Sequence, residues 1–182
     1  MPKDANCVFN GEEFQVFTWK QRLPNGQEVL REKLEAKDAT TIIPALPNGK
    51  VLILNEHHLG RDSYLSFPGG RIESCESPTE GATRELLEET GYTSNNVFLW
   101  NKYSPYQRID RHIDILIAKN CYKIAEQKLE LGEKLDLIII DFDDLLDFVN
   151  NEKFRNRILL IEFLRMEVDK RKKNAFKKLL FD

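Results

Sequence analysis

The sequence predicts an α/β fold in which one acidic helix has strand-forming segments before and after it. The helix is the best-defined element, because Ser77-Pro78-Thr79-Glu80 has the pattern of a capping box and Gly91 suits a left-handed helix end. Alternating and β-branched segments precede the helix between residues 12 and 68 and follow it between residues 97 and 140. The mainly helical segment Arg155–Phe181 closes the chain.

The first expected element is an antiparallel hairpin. EEFQVFTWKQR and QEVLREKLEA flank the turn Leu23-Pro24-Asn25-Gly26. An isolated hairpin is only marginally stable and needs a partner surface, for which the segment from Phe14 to Trp19 supplies apolar side chains. We therefore expect residues 1–37 to form a hairpin region and residues 38–182 to form a separate domain. Trp19 could pack there or stack on a base.

Further strands are expected on both sides of the acidic helix. Thr40–Leu46 and Lys50–Leu54 are predicted to pair around the turn Pro47-Asn48-Gly49, and a short strand is predicted at Leu65–Pro68. The strands predicted after the helix are Val97–Lys102, Ile113–Ala118 and Leu135–Ile140.

The predicted helices near the C-terminus come last. A helix at Leu145–Val149 is expected to be capped by Asp141 or Asp143. In Arg155–Phe181 the apolar residues expected to pack on the sheet repeat at helical spacing and are Ile158, Ile161, Phe163 and Leu164.

The composition excludes several classes of protein. A formal net charge of -3 provides no basic field, so nucleic-acid binding is not expected. The longest strongly apolar run, Leu137–Ile140, is too short to cross a bilayer, and the first residues lack the pattern of a signal sequence. Three scattered cysteines without a CxxC pair argue against a zinc site or a disulfide framework and favour a reducing cytoplasm.

The acidic helix carries the clearest chemical signal. Glu85, Glu88 and Glu89 are spaced i, i+3, i+4 and therefore share one face, where like charges cost about 0.2–0.5 kcal/mol per pair. Clustered carboxylate oxygens suit Mg²⁺, with Mn²⁺ as a second possibility. The alternative is a solvated acidic face without a ligand.

The longer pattern around this helix resembles the Nudix box. Gly70 is followed after five residues by Glu76, and after seven more by Arg84-Glu85-Leu86; Glu88-Glu89, Gly91 and Tyr92 complete the match. The resemblance implies an α/β/α sandwich with a mixed sheet, preceded by the small N-terminal hairpin. It also implies hydrolysis of a nucleoside diphosphate linked to another group, with divalent ions activating water and bridging phosphate oxygens.

The resemblance assigns roles to residues of the box. The implied metal ligands are the carboxylates of Glu85, Glu88 and Glu89 and the backbone carbonyl of Gly69. Arg84 would hold a carboxylate through a bidentate ion pair, and Glu76 would brace the loop against the helix.

Outside the box, the layout resembles ADP-ribose and nucleoside-diphosphate-sugar pyrophosphatases. The similar features are the N-terminal hairpin, the Ser104-Pro105 turn and Gly132-Glu133 before a strand. In that group a glutamate of the late loop often serves as catalytic base or extra metal ligand, which makes Glu133 the candidate base. Glu126 and Glu130 are the reserves, and a merely exposed loop charge is the alternative.

Substrate contacts are predicted where the sequence departs from this group. His58 occupies a position that commonly holds a diphosphate-binding arginine, and Arg61 or Arg31 could take that role. Val29 stands where a base-stacking aromatic residue is expected. These departures leave GDP- or UDP-hexoses open beside ADP-ribose.

The predicted activity is that of a cytoplasmic Mg²⁺-dependent pyrophosphatase acting on a nucleoside diphosphate sugar. The alternatives are cleavage of nucleoside triphosphates and a non-catalytic nucleotide sensor. The resemblance further implies a homodimer, because relatives with such a hairpin often exchange it across a two-fold interface.

Overall fold

The computed structural model describes residues 1–58, 60–104, 107–129 and 132–182. The strands within these ranges are β1 (Asn6–Asn10), β2 (Phe14–Arg22), β3 (Glu28–Ala36), β4 (Ala39–Pro44), β5 (Lys50–His57), β6 (Tyr64–Ser66), β7 (Tyr92–Thr93), β8 (Asn96–Tyr103), β9 (Ile109–Asp110), β10 (Ile113–Lys119), β11 (Tyr122–Lys123) and β12 (Lys134–Asp141). The helices are α1 (Pro78–Thr90), α2 (Leu145–Val149), α3 (Arg157–Val168) and α4 (Lys170–Phe181).

The N-terminal sheet has the strand order β1-β2-β3-β9. Its β2–β3 hairpin is confirmed, with Trp19 opposite Arg31 in the register. The sequence did not predict β1, which extends the hairpin on one side, or β9, which pairs in parallel with β3 on the other. The hairpin therefore pairs with a strand that follows α1 in the sequence.

Two three-stranded sheets form the centre of the fold, with the orders β4-β10-β8 and β12-β5-β6. The predicted pairing of the segments before and after Pro47-Asn48-Gly49 is wrong, because β4 pairs in parallel with β10 while β5 pairs with β12 and β6. Next to the turn, the two segments share the bridge Ala45↔Val51 and a hydrogen bond from the Leu46 amide to the Lys50 carbonyl, but no longer ladder. β4 is buried along its whole length, and β5 is buried at four consecutive residues, Val51–Leu54. Both strands are thus buried on both faces, and this burial selects their partners rather than the local turn.

Helices cover the central sheets on both sides, as the predicted α/β/α sandwich requires. Alternate residues of β4 and β10 face opposite layers: Ile43 and Ile115 pack toward α3 and α4. Ile42 and Leu116 pack toward Leu86 of α1. The α/β fold is therefore confirmed, and no helix of the described residues is both long and apolar enough to span a bilayer.

The helical segment at the C-terminus is two helices that meet at Asp169. The extended backbone of Asp169 interrupts the helix, and its side chain accepts a hydrogen bond from the Arg171 amide at the start of α4. The expected packing face is partly wrong, since Phe163 is buried while Ile161 and Leu164 are exposed. The face that packs on the sheet consists of Leu159, Phe163, Met166, Phe176 and Leu180.

The predicted cap of α2 is also wrong. Neither Asp141 nor Asp143 makes a side-chain capping bond, and a short 3₁₀ turn, Phe142–Asp144, precedes the helix instead. Asp143 forms ion pairs with Lys173 and Lys177 of α4, and these contacts take the carboxylate away from the backbone amides of α2.

Candidate active site

Helix α1 positions the acidic side chains. The predicted capping box is present: the Ser77 hydroxyl accepts from the Glu80 amide, and the Glu80 carboxylate accepts from the Ser77 amide at 2.8 Å. Gly91 ends the helix in the left-handed conformation, as expected, and a side chain there would collide with the Ala125 carbonyl. Because Leu86 is fully buried against the sheet, the opposite side of α1 faces the site.

The diglycine turn places backbone groups beside these carboxylates. The Gly70 carbonyl accepts a hydrogen bond from the Thr40 amide of β4 at 2.9 Å, which fixes the turn to the sheet. The Gly69 amide donates to the Glu89 carboxylate at 2.9 Å. A Cβ atom at Gly70 would collide with the Glu85 carboxylate, so a side chain at residue 70 would push that carboxylate away from its present position.

Arg84 ties the box loop to the helix. Its guanidinium holds Glu76 through two parallel bonds, Nε to Oε1 at 2.8 Å and Nη2 to Oε2 at 3.2 Å. Nη1 donates to Glu85 and to Glu88, each at 3.0 Å, and Nη2 also donates to the Arg71 carbonyl. The bonds from Arg84 lower the pKa of Glu76 and, in return, raise the pKa of Arg84. Glu76 therefore braces the loop while one cation partly neutralises two further carboxylates.

Burial makes the other carboxylates costly to ionise. Burial raises the pKa of Glu89 to about 9; the Gly69 amide opposes this shift, and the charges of Glu85, Glu56 and Glu133 add to it. The pKa of Glu85 is also raised, mainly by burial and against the attraction of Arg84. A hard divalent cation would remove this penalty, because carboxylate oxygens are the ligands that Mg²⁺ prefers.

The donor set therefore fits such a cation in chemistry and charge. As the side chains stand, no three His, Cys, Asp or Glu residues of the described ranges converge closely enough to hold a metal. Arg84 contacts the carboxylates of both Glu85 and Glu88. Coordination would therefore require small side-chain rotations of these two residues.

The late loop is attached to the C-terminal end of α1. The amides of Ile124 and Ala125 donate to the Gly91 carbonyl, and the Lys128 amide donates to the Glu88 carbonyl at 2.7 Å. The Gln127 side chain donates to the Glu89 carbonyl at 2.6 Å. These bonds hold the loop against the helix that carries the acidic side chains.

Glu133, at the end of this loop, lines a depression of about 540 Å³. The predicted ligand residues that line the same depression are Gly69, Glu85, Glu88 and Glu89. Glu126 is 88% exposed and directs its carboxylate at Lys123. Glu130 lies outside the described residues, as do Pro105 and Tyr106 of the predicted turn. Among the late-loop candidates that are described, the structure brings Glu133 to the carboxylates.

The adjacent histidines His57 and His58, at the end of β5, have separate partners. His57 contacts Asp136 at 2.7 Å, whereas Nε2 of His58 contacts the Tyr64 hydroxyl at 2.8 Å and Glu56 at 3.2 Å. The His58 ring also stacks on Tyr64. His58 is thus half-buried in a side-chain network rather than simply exposed.

The remaining predicted substrate contacts line other surfaces of the single chain. Arg31 donates to Gln21 at 2.9 Å and lines a depression on the N-terminal sheet. Trp19 lies opposite Arg31 on this sheet and is half-buried. Arg61 lines a third depression, next to Tyr64. The structure therefore gathers the predicted metal ligands with Glu133, and it leaves Trp19, Arg31, His58 and Arg61 outside that group.

Several charged residues of the depression were not predicted from the sequence. They are Glu12, Glu13, Lys37, Arg71, Glu73 and Lys128. Glu13 reaches the site from the loop before β2 and pairs with Arg71. Lys37 follows β3 directly, and Lys128 sits on the tethered loop. The lysines are single charges outside any motif, so no spacing in the sequence distinguishes them from surface residues.

Comparisons with known proteins agree with this geometry. The family model of the NUDIX domain matches residues 36–160 of this chain. ADP-ribose pyrophosphatase of Bacillus subtilis (strain 168) is 25% identical over 150 residues, which cover 80% of each chain. ADP compounds hydrolase NudE of Escherichia coli (strain K12) is 31% identical over 123 residues, covering 65% of this chain and 66% of that protein.

A solved structure shows the same fold at greater coverage. The crystal structure of an ADP compounds hydrolase superposes with a TM-score of 0.74 at 20% identity, covering 94% of this chain and 95% of the other. The resemblance inferred from the box is therefore confirmed. The chain belongs to the NUDIX family and is a Nudix hydrolase.

Proposed function

We propose that this chain is a Mg²⁺-dependent pyrophosphatase that splits a nucleoside diphosphate sugar into a nucleoside monophosphate and a sugar phosphate. One observation carries the proposal: Glu133 lines the same depression as the buried, clustered carboxylates of Glu85 and Glu89. The similarity to an ADP-ribose pyrophosphatase and an ADP compounds hydrolase supports a diphosphate substrate.

The ligands to Mg²⁺ would be Glu85, Glu88 and Glu89 with the Gly69 carbonyl. When bound, the ion supplies an acidified water and neutralises the phosphate oxygens. Arg84 keeps the box loop and helix in register through its bonds to Glu76 and the Arg71 carbonyl. Because the three carboxylate ligands are on a capped helix, their backbone positions are fixed before the substrate arrives, and only side chains must rotate.

The chain supplies two further functions in the depression. Glu133 would accept the proton of the attacking water, because among the described late-loop carboxylates it is the one that lines the depression with the ligand set. Lys37 and Lys128 line the same depression and carry charges that would stabilise the diphosphate as negative charge shifts to the leaving oxygen.

A substrate panel tests this proposal. Wild-type protein with Mg²⁺ is expected to release nucleoside monophosphate from ADP-ribose, or from a GDP- or UDP-hexose, and to leave nucleoside triphosphates largely intact. Pyrophosphate release from triphosphates, with every diphosphate sugar untouched, would replace the proposal with triphosphate cleavage. Binding of these compounds without any turnover would indicate a nucleotide sensor.

A homodimer formed through the N-terminal sheet is part of the proposal. This sheet exposes large apolar side chains, namely Val8, Phe9, Phe14 and Leu30, of which Leu30 is 65% exposed. Light scattering at micromolar concentration is expected to give about twice the chain mass. The variant Leu30→Glu is expected to shift the mass toward the monomer, and a monomeric wild type would contradict the proposal.

A further inference from the structure

The depression that Arg61 lines, next to Tyr64, lies beside β6 and has a volume of about 620 Å³. It is formed by the loop after β5, by β6 and by the segment that precedes α3. Four cationic side chains line it, together with two acidic ones: Arg61, Lys153, Arg155 and Arg157, with Asp62 and Glu152. We call the four cations the basic cluster.

The basic cluster is not neutralised within the described ranges of the chain. None of its four members forms an ion pair with a described carboxylate, although ion pairs are common elsewhere on the surface. Arg155 instead places its guanidinium 4.4 Å from the centre of the Tyr64 ring. Asp62 and Glu152 leave a local excess of two positive charges, so the cluster repels itself and would be stabilised by an anion.

The backbone around the cluster is fixed. The Leu65 amide donates to the Lys153 carbonyl and the Arg155 amide donates to the Leu65 carbonyl, both at 2.9 Å. Phe154, between these two cations, is buried and packs edge-on against Phe67. Lys153 and Arg155 therefore project from a segment that is hydrogen-bonded to β6, so the backbone that carries them needs little ordering to meet a ligand.

The start of α3 strengthens the positive field. Arg157 is the first residue of this helix, and no acidic residue lies in its first turn. The positive end of a helix dipole normally attracts acidic side chains, so a cation in this place is unfavourable unless an anion approaches. The positive end of the α3 dipole therefore adds to the positive potential of the basic cluster.

The basic cluster lies near the end of the sheet that carries the candidate active site. Tyr64, which Arg155 covers, donates a 2.6 Å hydrogen bond to Glu56, and the charge of Glu56 acts on Glu89. From Tyr64 the chain runs through β6 to Gly69, and five residues span at most ~18 Å. Across the sheet His57 pairs with Lys134, the neighbour of Glu133. One extended ligand could therefore reach both places.

We infer that the basic cluster binds a phosphate group that the substrate carries in addition to its scissile diphosphate. The inference rests on the proposed function and narrows its substrate to nucleoside diphosphate derivatives with a further phosphate on either sugar. Guanidinium groups suit this ligand because they offer paired donors to phosphate oxygens.

The test compares paired substrates in matched variants. Lys153→Gln/Arg157→Gln removes two exposed cations and spares Arg61, a candidate diphosphate contact, and Arg155, which stacks on Tyr64. The control, Arg22→Gln/Arg171→Gln, makes the same charge change on exposed residues of β2 and α4. The probes are ADP-ribose and ADP-ribose with an added phosphate on either the adenosine ribose or the distal ribose.

Wild type is expected to prefer one phosphorylated probe. In the cluster variant kcat/KM for that probe should fall by about 10- to 100-fold, while the value for ADP-ribose changes less than about 3-fold. The control should leave both values near wild type. Equal losses for both probes, or no preference in the wild type, would overturn the inference.

Two further measurements are informative. One distinguishes a free phosphate ion from a phosphate of the substrate, and the other distinguishes failure of this inference from failure of the proposed function. If inorganic phosphate binds the wild type but not the cluster variant, and no phosphorylated probe is preferred, the cluster takes a free anion and the substrate inference is wrong. If no nucleoside diphosphate is hydrolysed, the proposed function fails. Titration of the metal-free wild type and cluster variant with the phosphorylated probes then still decides whether the cluster binds them.

Discussion

Glu89→Gln is expected to lower kcat/KM for the preferred diphosphate substrate by about 10³-fold or more, because a lost metal ligand removes several kcal/mol of charge stabilisation. The same change is expected to stabilise the metal-free protein. A glutamine oxygen can still accept the bond from the Gly69 amide, but glutamine needs neither to take up a proton nor to bury a charge when the chain folds. We expect Tm in EDTA to rise by ~2–8 °C, which corresponds to about 1–2 kcal/mol.

The stability gain should depend on pH in one direction. The folded protein holds the pKa of Glu89 at about 9, above the ordinary value of 4.5, so the unfolded chain releases this proton first. The contribution of Glu89 to stability is therefore present below pH 4.5 and is lost as the pH rises toward 9. The Tm difference between Glu89→Gln and wild type should widen over this interval, and Mg²⁺ should release protons when it binds the wild type.

A surface substitution of the same type provides the control for Glu89. Glu167→Gln changes an exposed carboxylate on α3 and should alter neither activity nor Tm by a measurable amount. If Glu89→Gln leaves turnover of every substrate unchanged, Glu89 is not a metal ligand. If Glu89→Gln has a lower Tm than wild type in EDTA, burial of the Glu89 carboxyl group does not destabilise the metal-free protein.

Glu133→Gln is expected to lower kcat by about 10²- to 10⁴-fold, the usual range for a general base. Because glutamine keeps an oxygen in the depression, Mg²⁺ binding should change much less than turnover. The measurement is kcat together with a Mg²⁺ titration of each protein. At high pH, hydroxide should recover part of the lost rate if the missing group is a base.

The matched control for Glu133 lies on the same loop. Glu126→Gln removes a carboxylate that is almost fully exposed and pairs with Lys123. It is expected to retain wild-type kcat. A loss of kcat in Glu126→Gln, with normal turnover in Glu133→Gln, would assign the role of catalytic base to Glu126 instead of Glu133. A parallel loss of Mg²⁺ affinity and kcat in Glu133→Gln would make Glu133 a ligand rather than a base.

Local signals in the sequence predict the parts of the fold that depend on neighbouring residues. The capping box at Ser77 and the left-handed end at Gly91 are correct because each involves atoms within a few residues. The β2–β3 hairpin is correct because its turn sets the register. The predicted pairing of β4 with β5 is wrong because both strands are apolar on both faces, and only the assembled layers select their partners.

The same distinction applies to the candidate site. The box residues share one helix, so their spacing alone is enough to bring Glu85, Glu88 and Glu89 together. Lys37 and Lys128 cannot be found in this way, because their approach depends on the N-terminal sheet and on the bonds between the late loop and α1. The network around His58 has no local signal either, because Tyr64 and Glu56 meet this residue only once β5 and β6 pair.

The pairing of β9 with β3 links the N-terminal hairpin to a later part of the chain. The Lys33 ammonium contacts Asp110 at 2.9 Å, and the Leu34 amide donates to the Arg108 carbonyl, so the N-terminal sheet is completed by residues that follow α1. A chain that starts after residue 37 would leave β9 without its partner and Asp110 without Lys33. Deletion of residues 1–37 is therefore expected to destabilise the segment around Asp110 as well as to remove the hairpin.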